Sequence, residues 1–206
     1  MTEVDHLSHV NVDVSKMPRL GKAPVPEGAE QAESYGLRRH PSMRDLARHT
    51  LMWNPEMLEA HGVFTGYLRN STCLPRRDRE IAILRHAWDC GSDYQWALHS
   101  KMAADAGLTD SEVERLATTA ADDRWAPHEA AIIRAVDELH ALCRIGDETW
   151  EALSAHYDER QIIELLALVG SYRLLAYMFN AVGIRPPDGH SPDLPGNSFL
   201  FVDRRS

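Results

Sequence analysis

The stretch Arg79-Glu80-Ile81-Ala82-Ile83-Leu84-Arg85-His86-Ala87-Trp88-Asp89-Cys90-Gly91-Ser92-Asp93-Tyr94-Gln95-Trp96-Ala97-Leu98-His99-Ser100-Lys101-Met102-Ala103-Ala104-Asp105-Ala106-Gly107 decides the fold. Its apolar residues recur at helical spacing, and two glycines punctuate it. Ile83, Leu84, Ala87 and Trp88 stand three, four, seven and eight residues after Glu80, so a carboxylate sits at the end of an apolar stripe. Ser92, Gln95, Trp96, His99 and Ala103 share one side of the next run, with Tyr94 off that stripe. A helix over 76–90, a bend at Gly91, and a helix over 92–106 ended by Gly107 form a hairpin that can close Glu80 onto His99. A carboxylate and an imidazole so placed make an acid/base pair. Read alone, Glu80 fits a surface pairing with Arg76 or Arg77 better, and His99 a packed core residue; the hydroxyl, amide and indole that share the His99 face shift the reading to the pair.

Outward from this hairpin the helical pattern continues. Asn54-Pro55-Glu56 opens a helix to about Leu68, and Thr109-Asp110-Ser111-Glu112 reads as a capping box. Pro127 opens a helix to about Cys143, Asp147 caps a short one, and Asp158 opens a long one, broken near Gly170 and ended by Gly183. No run alternates as a strand does, so the fold class is all-α. Glu159 precedes Gly170-Ser171 by the eleven residues that separate Glu80 from Gly91-Ser92, which suggests two related helical-hairpin repeats. Met178 falls where the second copy would carry His99, so only the first copy holds the polar site. Pro and Gly density marks 1–40 as an irregular N-terminal arm, 41–184 as the helical domain and 185–206 as a C-terminal tail.

Composition narrows the function. The 206 residues carry 22 Lys and Arg against 31 Asp and Glu, a net charge of −9, which argues against nucleic acid and anionic membrane as partners. The amino-terminal residues lack a signal-peptide pattern, and the most apolar run, 162–172, is broken by Glu164. The three cysteines, Cys73, Cys90 and Cys143, form no Cys-x-x-Cys, and a cytoplasmic location is expected. Eleven histidines are scattered without metal-ligand spacing, so no metal is expected; His86, on another face of the Glu80 helix, faces a subunit contact or the pocket edge.

The segment from Arg77 to Leu116 resembles the core motif of the carboxymuconolactone decarboxylase family, which shares its helical fold with the alkylhydroperoxidase D-like proteins. The resemblance extends over about 40–184. The redox branch of that superfamily carries a Cys-x-x-Cys between its glutamate and histidine. Here the glutamate falls on Glu80 and the histidine on His99, while Ser92 and Gln95 occupy the cysteine positions, so the thiol pair is missing. The resemblance therefore implies an enzyme of the decarboxylase branch, working without cofactor on a small carboxylated molecule by decarboxylation, isomerisation or lactone turnover. In that picture His99 is the general acid/base and Glu80 orients it. Tyr94, Ser92 and Gln95 bind substrate oxygens, Trp88 and Trp96 wall the pocket, and Arg85 pairs with a substrate carboxylate. A homo-oligomer (dimer, trimer or hexamer) is also implied. A non-catalytic small-molecule binder or assembly subunit, and a peroxidase-related activity through Cys90 alone, are the competing readings.

Overall fold

The computed structural model describes residues 18–21, 23, 51–117 and 123–186. Most of the predicted arm and tail, and the start of the predicted helical domain, lie outside the described residues. Among the described residues, seven α-helices follow one another from Pro55: α1 (Pro55–Asn70), α2 (Arg76–Asp89), α3 (Asp93–Ala103), α4 (Asp110–Leu116), α5 (Pro127–Leu142), α6 (Asp147–Ser154) and α7 (Glu159–Val182). No strand occurs among the described residues. The all-α reading holds, and the helices predicted from Asn54 onward are found in place among the described residues, without the break expected near Gly170.

Local chemistry sets the helix ends. Asn54 Oδ1 accepts from the Met57 amide at the start of α1, and Thr109 and Glu112 close a reciprocal capping box on α4. Asp158 caps α7 in the same way, with Gln161 reaching back. At α6 the cap is Gly146 rather than Asp147, which is the first helical residue. A 3-10 turn (Ala104–Ala106) follows α3, so the third predicted helix tightens before Gly107.

α2 is the central element and packs against α3, α5 and α7. Ile81, Ala82, Leu84 and Ala87 are fully buried on it, and small Ala131, Ala135 and Ala176 on its neighbours allow close approach. Most of the core is one cluster built around α2, α5 and α7.

The two glycine-marked sites behave differently. At Gly91 the backbone has φ 57°, and the chain turns from α2 into α3. At Gly170 the chain does not turn, and α7 runs unbroken for 24 residues. The expected second hairpin is therefore one straight helix. Continuous burial against α2 outweighs the weak helix preference of a single glycine. α7 is long and apolar enough to cross a membrane by length and composition, but its apolar face is that of a core helix carrying the buried Glu164.

The described part of the arm is anchored. Arg19 N donates to Val182 O at 2.8 Å, its Nη1 to Ala181 O at 3.2 Å, and Trp53 Nε1 to Gly21 O at 3.0 Å.

Candidate active site

The α2–α3 hairpin brings Glu80 and His99 together. His99 Nδ1 lies 2.7 Å from Glu80 Oε2, and the two residues are only 4% and 5% exposed. Neither arginine near Glu80 in sequence competes for it. Arg76 pairs with Asp105 at 3.5 Å, and Arg77 binds Glu112 and Glu129. The Tyr172 ring of α7 meets the His99 ring edge-on, centroids 5.1 Å apart, which restrains the imidazole plane. A carboxylate at Nδ1 favours the tautomer that carries its proton there, which leaves Nε2 as the acceptor nitrogen.

Both residues line a cavity of about 630 Å³ between α1, α2, α3 and α7. Leu58, Leu68, Ile83, Leu98, Leu168 and Phe179 make much of its wall. Tyr94 and Gln95, expected as substrate contacts, line it as well. Tyr94 is buried and packs edge-on against Phe179, centroids 5.0 Å apart. Gln95 donates from Nε2 to the Tyr172 carbonyl at 2.8 Å.

Four expected contacts lie elsewhere. Arg85 points to the opposite side of α2, where Nε meets Asp137 Oδ1 at 2.5 Å and Nη1 donates to Leu116 O at 3.0 Å. One helical step separates Arg85 from the Glu80 face, and that step aims it at α5. Trp96 is 1% exposed inside the main core, against which Trp88 also packs, so neither walls the cavity. Ser92 is fully buried as the residue preceding α3 and does not line the cavity; its Oγ finds no partner among the described residues.

Sequence reasoning missed several lining groups. Arg69, Arg76 and Arg79 line the cavity, as does His61 of α1. Burial, and then the Arg69 charge, lower the His61 pKa, which favours the neutral imidazole. The signal for Arg79 was its place next to Glu80; for α1 there was none, because its approach depends on packing.

Cys90 is partly buried away from this cavity, beside His86 and His140, with Sγ 3.8 and 3.7 Å from their Nδ1 atoms. Burial raises its thiol to about 11 against the opposing pull of Arg173. At neutral pH roughly one thiol in ten thousand is then the reactive thiolate. His86 is fully buried, and burial, then Arg173, lower it to about 4. It is a neutral core group on the Cys90 side, not an edge of the cavity.

One cluster of metal-ligand types does form: side-chain atoms of Asp78, His128 and Glu129 lie within 4.8 Å of one another. Those carboxylates already have partners. Tyr157 donates to Asp78 at 2.7 Å, and Arg77 and the Ala126 amide bind Glu129 at 2.6 and 3.1 Å. The cluster ties α2 to α5 and to the end of α6.

An all-helical bundle with a buried Glu–His pair on a cavity wall, and no thiol pair beside it, is an alkylhydroperoxidase D-like fold stripped of its redox motif. Residues 55–138 match the model of the carboxymuconolactone decarboxylase family, and the chain is similar to that family over this segment. The solved structure of an Agrobacterium tumefaciens protein of unknown function, described as a candidate antioxidant-defence protein AhpD, is similar with a TM-score of 0.60 and 19% identity. The match covers 66% of this chain and 94% of that one, and it shows the fold. No curated protein is significantly similar to the chain.

Proposed function

We propose that the protein is a carboxymuconolactone decarboxylase-like enzyme that moves protons on a small carboxylated molecule, as a carboxy-lyase or isomerase. The observation that carries this reading is the buried pair, His99 Nδ1 to Glu80 Oε2 at 2.7 Å, on the wall of a cavity of about 630 Å³. Glu80 accepts the Nδ1 proton and sets the tautomer, so Nε2 is the basic nitrogen facing a reactant. In an isomerisation Nε2 takes a proton from carbon next to a carboxyl or lactone carbonyl and returns it elsewhere. In a decarboxylation the carbon–carbon bond breaks to release carbon dioxide. The electron pair stays on the remaining carbon as an enolate, and Nε2, having first taken a proton from the substrate's carboxylic acid or from solvent, protonates it as the imidazolium. Glu80 stabilises the imidazolium in both cases.

The convergence of both side chains on one cavity favours catalysis over a purely structural or binding role. The high thiol pKa of Cys90 argues against a peroxidase role for that residue. The test is turnover of a panel of carboxylated lactones by the wild type, His99→Ala and Glu80→Gln. Loss of about a hundredfold or more in both variants, with unchanged melting, supports the assignment; full turnover in His99→Ala overturns it. We also propose self-association in the cytoplasm, supported by the exposed Val63, Phe64 and Ile163 and tested by light scattering.

A further inference from the structure

The polar groups around the Glu80–His99 cavity define more of the substrate than its acidity. Gln95 is 2% exposed, and its amide orientation follows from Nε2 donating to Tyr172 O. Its Oε1 is therefore a buried acceptor, and it has no partner among the described residues. Such an acceptor is costly unless a donor meets it. Gln95 lies one helical turn before His99 on α3, so both side chains share one face. A group bonded to Gln95 sits next to the atom that exchanges a proton with His99.

The rim supplies the opposite chemistry. Arg76 is compensated by Asp105, but Arg69 and Arg79 have no carboxylate partner among the described residues. Arg79 Nη1 donates to Leu68 O and Arg69 O at 3.0 and 2.8 Å, which anchors the guanidinium at the end of α1. Its Nε and Nη2 bond to no other described residue. An anchored guanidinium with unused donors is preorganised for a carboxylate.

We infer that the cavity selects a small hydroxycarboxylate, its carboxylate at Arg69 and Arg79 and its hydroxyl donating to Gln95 Oε1. The assignment rests on the acid/base reading only for where chemistry occurs; the binding preference stands apart from it. A keto group in place of the hydroxyl would set two acceptors against each other, and a methylene would leave Oε1 unbonded.

The experiment is calorimetric titration of the full-length protein with malate, succinate, 2-hydroxyglutarate, glutarate, 2-oxoglutarate and dimethyl malate. At least one hydroxy acid is expected to bind about tenfold or more tighter than its deoxy and oxo counterparts, and dimethyl malate more weakly than malate. Gln95→Met should bring hydroxy and deoxy acids within about threefold. Arg69 is exposed, so Arg69→Gln keeps the fold; it should weaken all the acids by a similar factor. His99→Asn should keep the ranking of acids while abolishing turnover, so loss of catalysis and loss of selectivity are read separately. Equal affinity for hydroxy and deoxy acids, preference for the oxo acid, preserved preference in Gln95→Met, or no binding by any of the set overturns the inference.

Discussion

Glu164 of α7 ties the end of α1 and the link to α2 onto α7 through its carboxylate, and replacing it with Gln tests that reasoning. The residue is 4% exposed. It accepts hydrogen bonds from Thr72 Oγ1 at 2.5 Å, from the Cys73 amide at 2.6 Å and from the Tyr67 hydroxyl, with Arg160 Nε at 3.4 Å. These bonds fasten the end of α1 and the link to α2 onto α7. Burial pushes the Glu164 pKa up, but the bonds to Thr72, Tyr67 and Cys73 outweigh it and bring the group from its ordinary 4.5 to about 2. A depressed carboxylate stabilises the fold above its unfolded pKa, and that stability is lost as pH falls through the folded pKa. The gap of roughly 2.5 units corresponds to about 3 kcal/mol at pH 7 and about 1.4 kcal/mol at pH 3. Glu164→Gln keeps the shape and removes the charge. Urea unfolding of both proteins from pH 7 to pH 3 should show the wild type about 3 kcal/mol more stable at neutral pH, the difference shrinking steadily below pH 4.5. Acid sensitivity from His86, which lies on the Cys90 side, is common to both proteins and cancels. A difference that stays flat with pH, or is below about 1 kcal/mol at pH 7, refutes the role given to the charge.

Four further outcomes follow from the packing. Arg85→Leu leaves the Asp137 carboxylate without its guanidinium and should cost about 3 kcal/mol in denaturant unfolding, with malate binding unchanged; weakened malate binding would return Arg85 to the site. Cys90 should react with iodoacetamide at pH 8 far more slowly than the exposed Cys73 and Cys143, as followed by mass spectrometry; equal rates would contradict the burial of its thiol. Gly170→Ala should raise stability by about 0.5–1 kcal/mol, because α7 is continuous there and no atom lies within 4 Å of the added carbon. Gly107→Ala should lower it by about 1 kcal/mol, since its φ of 82° strains any side chain. Identical signs for the two melting shifts would refute the distinction.

Helix positions were legible in the sequence wherever a short-range device sets them. Asn54, Thr109–Glu112 and Asp158 bond to backbone within three residues, so the sequence already contains both partners. The Glu80–His99 pair was legible for a related reason: a single glycine-marked bend separates two helices whose faces are readable. Where the partner is remote, reading failed. Nothing local distinguishes Gly91, which turns, from Gly170, which does not; the difference is what each flanking segment packs against.

The amino-acid sequence by itself determined an all-helical chain, the absence of a thiol pair at positions 92 and 95, and a carboxylate–imidazole pair at Glu80 and His99. Each depends on residue identity or on contacts across one hairpin. Tertiary structure alone decided the rest of the pocket. It turned Arg85 toward Asp137, sank Trp96 into the core, and brought Arg69, Arg79 and His61 to the cavity. Those outcomes depend on which faces of α1, α5 and α7 meet α2 and α3. A rotation of one residue along a helix, about 100°, moves a side chain from one neighbour to another. Spacing shows which residues share a face; only the assembled bundle shows what that face meets.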